Sequence, residues 1–254
     1  MQSFHIGTMG WSYSFWKGVF YPANLPSKQF LTYYSTQFDT VEVDSTFYRI
    51  PRISTVLDWN EQTPKDFMFS LKFPQVITHI KKLKNCEEEA KVFLERVELL
   101  KEKLGALLLQ LPSTFESDEH VSSLRDFLQE LPEDHRYAVE IRNRKLLNPS
   151  FYSVLRNSNV ALAWVESPFM PQISEITADF VYVRWEGNRK LVKGTLGKRE
   201  VEKLSNIKSW ADRLRQFSNA KTETFGYFSK YYSGYPPSDV RDLWQSLRTA
   251  KSET

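Results

Sequence analysis

Eight short strand-like segments alternate with stretches of helical spacing along this chain, and that alternation restricts the fold more than any other property. The strand candidates are FHIGTMGW (4–11), TVEVDST (40–46), FMFSLKFP (67–74), ALLLQLP (106–112), RYAVEIRN (136–143), VALAWVE (160–166), FVYVRWEG (180–187) and TETFGYFS (222–229). The fourth is almost wholly apolar, as a strand covered on both faces should be. Between them, Ala90, Phe93, Leu94, Val97, Leu100 and Leu104 recur at steps of three and four, with Gly105 as a C-terminal stop. Val121, Leu124, Leu128 and Leu131 repeat the pattern, as do Val201, Leu204, Ile207, Ala211 and Leu214, and then Val240, Leu243, Trp244 and Leu247. Asn148 followed by Pro149 reads as a cap and first helical residue. Residues 53–61 support only a short helix, and 167–178 support none. The pattern predicts an α/β fold, a (β/α)8 TIM-like barrel in a single domain over 1–254, with a frayed tail at about 249–254. A doubly wound open sheet is the alternative.

Composition permits a large core, with 41% hydrophobic and 15% aromatic residues in 254. The 34 Lys and Arg against 31 Asp and Glu leave a net charge of only +3, too small a bias to imply nucleic acid by itself. One cysteine, Cys86, excludes an intrachain disulfide or a thiolate zinc site. No segment reaches the roughly 18 apolar residues of a membrane span, and the N-terminus has no charged stretch followed by an apolar run. A cytoplasmic protein with no membrane partner is expected; the oligomeric state is left open.

In such barrels the chemistry lies where strands end and the following loops begin. There, Val41 and Val43 alternate with Glu42 and Asp44, so the two carboxylates share the opposite face. The third strand ends in Lys72 and the fourth in Gln110. The fifth carries Glu140 and Arg142 on one parity, the sixth ends in Glu166, and the seventh has Tyr182, Arg184 and Glu186 on one parity. An internal layer of mutually neutralising ions is the structural reading of this set. The functional one makes Glu42, Glu140 and Lys72 catalytic, a carboxylate serving as general acid or base, with Lys72, Arg142 and Arg184 holding phosphate oxygens. Glu42 faces inward and needs a cation, Lys72 and Arg184 being the expected partners.

The loops add aromatic and basic groups. WSYSFWKGVFYP follows the first strand, and Trp11, Tyr13 and Tyr48 would form a stacking wall. The loop 188–199 holds Arg189, Lys190, Lys193, Lys198 and Arg199 without an acid; with the clusters at 81–84 and 142–145 it predicts an electropositive mouth. YFSKYYSGYPP follows the eighth strand. His79 is the one histidine on a site loop; His5 falls inside the first strand, and His120 and His135 read as surface residues. No HExxH, Walker loop, GxSxG or GxGxxG occurs. No cofactor and no metal centre are expected, a carboxylate-only Mg²⁺ site at Glu42, Asp44 or Glu140 being the exception left open. The expected partner is a phosphate-bearing small molecule or nucleic acid; a glycosidase with Glu42 and Glu140 as paired carboxylates, and a non-catalytic binding barrel, are the alternatives.

IGTMGWSYSFWKGVFYP, FDTVEVDSTFYRIP, FMFSLKFPQVITH, LLLQLP, AVEIRN and DFVYVRWEG, in that order, resemble the sequence blocks of the YecE-like family, a domain of unknown function with a TIM-barrel fold. The resemblance spans most of the chain and implies the barrel, but supplies no reaction. Against the family pattern, Asp44 stands where Asn is usual, Trp185-Glu186 replaces a residue followed by His, and YFSKYYSGYPP replaces a stretch resembling F-N-N-D-x-x-G-x-A. A metal is correspondingly less expected.

Overall fold

The computed structural model describes residues 4–217 and 222–249, and in it the expected strand segments form one all-parallel ring. The strands are β1 (Phe4–Met9), β2 (Thr40–Val43), β3 (Met68–Lys72), β4 (Leu104–Gln110), β5 (Arg136–Glu140), β6 (Ala161–Leu162), β7 (Trp164–Glu166), β8 (Phe180–Trp185) and β9 (Glu223–Phe228). β6 and β7 are the two ends of one segment interrupted at Ala163. β6 pairs with β5, β7 pairs with β8, and β1 lies between β2 and β9. The ring therefore closes through that single segment, giving eight staves in a single-domain α/β barrel of the TIM type.

Helices α1 (Phe30–Ser35), α2 (Ile53–Glu61), α3 (Glu87–Val97), α4 (Asp118–Glu130), α5 (Pro149–Asn157), α6 (Leu204–Phe217) and α7 (Pro236–Thr249) lie between or after the strands. The Asn148 side chain accepts the Phe151 N–H at 3.0 Å with Pro149 at the first helical position, as expected. α2 is short, and 167–178 contains no helix. Of the tail expected to fray, 250–254 lies outside the described residues.

Gly105 is not a helix stop. α3 ends at Val97, a tighter turn follows over Glu98–Lys103, and Lys101 takes the left-handed conformation at φ 55°. Gly105 belongs to β4, where a Cβ would press to 3.0 Å from Ser70 Oγ and 3.1 Å from the Phe69 carbonyl. The apolar spacing through Leu100 and Leu104 continues across the chain reversal because both sides pack on the same core.

Two cores result from the period-two strands. Val41, Val43, Leu107, Leu109, Val139, Val181 and Val183 face the helices, while Ala106, Leu108, Ala138, Ala161 and Ala163 face the barrel axis. The small side chains of β4 to β6 leave room for Phe180, Tyr182, Phe225 and Tyr227 from β8 and β9. The axis becomes more polar toward the mouth. In mid-barrel the Tyr227 hydroxyl lies 2.7 Å from Ser70 Oγ, to which it donates, and 2.9 Å from Thr40 Oγ1.

The joint at β6 is made by a side chain. The Leu162 N–H donates to Thr177 Oγ1 at 2.7 Å, and the same hydroxyl donates to the Val160 carbonyl at 2.6 Å. Thr177 thus clasps the stave at the stretch where it lacks a ladder to β8. Among the described residues no helix is long and apolar enough to cross a membrane.

Candidate functional site at the barrel mouth

Inward parity on five strands brings Glu42, Lys72, Gln110, Glu140 and Arg184 into one hydrogen-bonded chain. Lys72 Nζ donates to Gln110 Oε1 at 2.7 Å, and Gln110 Nε2 donates to Glu140 Oε1 at 2.9 Å. Glu140 accepts from Arg184, which also reaches Glu42 from Nε at 3.0 Å and from a terminal nitrogen at 2.8 Å. The Tyr182 hydroxyl donates to Glu42 Oε2, the oxygen that Arg184 Nε also reaches, at 2.6 Å. Arg184 further contacts Glu186, Asp44 (3.4 Å) and the Met9 sulfur (3.4 Å). All five of its N–H groups therefore have acceptors, four carboxylates converge on it, and none of its donors is left for a phosphate.

These ions are out of water: Glu42 is 0% exposed, with Glu140 and Arg184 at 1% each. Of the two cations expected near Glu42, Arg184 bonds it directly, while Lys72 leans onto the Phe47 ring, 4.0 Å from its centroid, and bonds to Gln110. Arg142 is the second cation on Glu140, at 2.8 Å, and reaches Glu186 at 3.2 Å.

The two buried glutamates are driven apart in proton affinity. Burial raises Glu42, Arg184 opposes it and nearby Asp44 adds to the rise, so that the carboxyl is pushed up to about 7. Burial acts on Glu140 in the same direction, but Arg184, Arg142 and Lys72 outweigh it and hold that carboxyl far below the usual range. Burial, then Arg184, holds the Lys72 ammonium below the ordinary lysine value. His79 is lowered to about 4 by burial, Lys72 and Arg142, and is neutral at physiological pH.

Above this layer lies a cavity of about 370 Å³, whose wall includes Tyr13, Asp44, Phe47, Tyr48, Lys72, His79, Gln110, Arg142, Arg184, Glu186, Arg189 and Lys230. Tyr48 stands on the rim, 73% exposed, edge-on to Phe47. Tyr13 lines the wall with its hydroxyl donating to the Met9 carbonyl at 2.6 Å. Trp11 is not in this wall; its ring packs edge-on against Trp59 of α2, 5.9 Å away. Asp44, Phe47 and Glu186 complete the site beside the singled-out residues. Arg189 comes from the basic 188–199 loop expected at the mouth; Ser229, Lys230 and Tyr231 follow β9, where no period marks them and the one signal is that this stretch follows the last barrel strand.

Much of the expected rim charge is neutralised locally. Lys81 pairs with Glu89 at 2.6 Å, Lys84 with Glu119, Lys145 with Glu116 at 2.8 Å, and Arg199 with Asp242. In the 188–199 loop, Glu200 accepts the backbone N–H groups of Lys193 (2.8 Å) and Gly194 (2.7 Å), fixing the turn rather than leaving it open for an anion. Gly187 enters that loop at φ 71°, where a Cβ would meet the Tyr231 carbonyl at 2.1 Å. Among the described residues no carboxylate pairs with Arg189 or Lys230. Arg189 stacks on Tyr231 at 4.8 Å, and Lys230 lies 5.5 Å from the Tyr13 ring and 5.1 Å from that of Tyr231.

Among the described residues no three His, Cys, Asp or Glu side chains gather into a metal-binding group. Glu42, Asp44 and Glu140, the carboxylates a magnesium ion would need, are each bonded to Arg184, whose guanidinium stands where a cation would sit.

The family model described as "Protein of unknown function DUF72" matches residues 5–254. UPF0759 protein YecE of Escherichia coli O157:H7 is 35% identical, covering 98% of this chain and 94% of that protein. UPF0759 protein YunF of Bacillus subtilis strain 168 is 27% identical, covering 96% and 94%. A crystal structure of a DUF72 family protein from Thermotoga maritima MSB8 superposes with a TM-score of 0.82 at 27% identity, over 97% of this chain and 99% of that one.

Proposed function

Because the chain belongs to the DUF72 family, whose function is unknown, we propose from the geometry of the barrel mouth that it binds a small phosphate-bearing molecule there, with Glu42 as a proton-exchanging group beneath it. The observation carrying this reading is the set of cations without carboxylate partners on the cavity wall: Arg189 and Lys230 at the rim, and Lys72, whose hydrogen bond goes to a neutral amide. A bound anion compensates them, and the cavity of about 370 Å³ suits a small ligand. A sugar phosphate fits these features better than a nucleic-acid strand, since Lys81, Lys84 and Lys145 are engaged by acids and form no open basic track. The paired-carboxylate glycosidase reading is disfavoured: Arg184 bonds both Glu42 and Glu140, so a guanidinium occupies the place a scissile bond would need.

An anion placed above Arg184 draws on the same positive charge that Glu42 uses, so its arrival favours a proton on Glu42. The test is calorimetric titration with glycerol phosphate and with glycerol, in two buffers of different ionisation enthalpy near pH 7. The phosphate ester should bind, taking up protons, with an affinity that falls as salt rises. Arg189→Ala and Lys230→Ala should each weaken it about tenfold or more. Equal affinity for the neutral alcohol overturns the proposal. Turnover of any sugar phosphate would separate an enzyme from a binding barrel.

A further inference from the structure

We propose that Lys72 is an amine nucleophile that forms a Schiff base with the carbonyl carbon of a small aldehyde or ketone held in the mouth cavity. The anionic character of that substrate rests on the binding reading above; the nucleophile itself does not.

Lys72 ends β3 inside the ring, the residue 7% exposed and lining the cavity. Among the described residues no carboxylate lies within ion-pairing distance of its Nζ. A carboxylate there would hold the ammonium and keep the nitrogen lone pair occupied by a proton. Gln110 instead accepts one N–H at 2.7 Å through an amide oxygen, which positions the nitrogen without adding negative charge. The amide cannot turn its NH₂ toward Lys72 without losing its 2.9 Å bond to Glu140, and Glu140 is fixed in turn by Arg142 and Arg184. The Phe47 ring backs the head group at 4.0 Å. Desolvation first and the neighbouring Arg184 guanidinium second favour the free amine, and together they outweigh the opposing pull of Asp44, Glu140 and Glu42, holding the ammonium below the ordinary lysine value.

The step balances without oxidant or reductant. The ammonium releases a proton to solvent through the open cavity, and the lone pair attacks the carbonyl carbon. A C–N bond forms and the C=O π pair moves to oxygen, which takes up a proton while the attacking nitrogen gives one up to solvent. The carbinolamine then loses that oxygen as water after a second protonation, leaving a protonated imine. Amine plus carbonyl has become imine plus water.

The experiment incubates the full chain with glyceraldehyde 3-phosphate or with glyceraldehyde, reduces any imine with cyanoborohydride, and maps the adduct by peptide mass spectrometry. The expected result is a dominant adduct on Lys72, formed roughly tenfold or more faster than on any other lysine. The phosphorylated aldehyde should react faster than the neutral one. Lys72→Arg and Lys72→Met should lose that adduct. Gln110→Glu supplies the missing carboxylate and should slow labelling of Lys72 roughly tenfold in a protein that circular dichroism shows to be folded. Equal labelling of Lys72 by both aldehydes upholds the nucleophile and removes the anion preference. Lys72 left unmodified while glycerol phosphate binds overturns the nucleophile and leaves the binding reading standing. Adducts spread evenly over the lysines overturn it as well.

Discussion

At the scale of single residues, Arg184 contacts four carboxylates, Glu42 and Glu140 among them fully buried. Removing its guanidinium leaves Glu42 and Glu140 buried with their main counter-ion gone, so Arg184→Met should cost about 3–5 kcal/mol in urea denaturation. Adding Glu42→Gln to that variant should recover part of the loss, a coupling that independent sites would not show. Glu42→Gln alone mimics the protonated acid. The Glu42 carboxyl is raised from 4.5 to about 7, so the folded protein keeps a proton that the unfolded chain has already released. Its contribution to stability is full below pH 4.5 and is lost as pH climbs to about 7. The stability of the wild type relative to Glu42→Gln should therefore decline across that window by on the order of 2–4 kcal/mol and be flat above it. Melting curves at pH 4.5, 6 and 8 measure this; a difference that does not move with pH would mean Glu42 is ionised throughout.

At the scale of elements, what could be read was whatever has a period. Glu42, Lys72, Gln110, Glu140 and Arg184 lie on strands, where alternation tells inside from outside, and the structure joins them in one chain. Arg189, Lys230 and Tyr231 sit on loops, whose direction depends on contacts from distant sequence, such as Gly187 against Tyr231. The basic clusters misled for the same reason: Lys84 and Lys145 spend their charge on Glu119 and Glu116, 35 and 29 positions away. The helix expected to run to Leu104 stops at Val97 because hydrophobic spacing reports burial, not backbone continuity. Cys86 at the start of α3 sets two element-level effects against each other. A helix N-terminus lowers a thiol's proton affinity, whereas burial and the adjacent Glu87 and Glu89 raise it. Burial wins, pushing the thiol up to about 12. Native protein at pH 8 should react with a chromogenic disulfide reagent far more slowly than protein in urea, and equal rates would show that α3 opens freely.

At the scale of the whole molecule, the fold was legible because eight strand segments, most of them followed by a helical stretch, leave few ways to bury both faces of a parallel sheet. The manner of closure was not, since it depends on a hydroxyl eleven positions beyond Glu166. Thr177→Val keeps the shape but leaves the buried Leu162 N–H unsatisfied; it should cost about 1–3 kcal/mol and speed hydrogen exchange at Leu162 above that of the β4 amides. Unchanged exchange at Leu162 would show that the clasp does not hold the joint. The ring thus has two joints, a ladder of five paired residues between β1 and β9 and the clasp around Ala163. Phe4 of β1 packs edge-on against Trp244 of α7, so the first strand and the last helix are neighbours. Spatial order follows chain order all the way round, and the barrel is in this sense circular before it is linear. A permuted chain, linked across that neighbourhood and cut between Pro171 and Gln172, would sever no helix and no strand ladder, and its start and finish would meet at the stave that Thr177 holds.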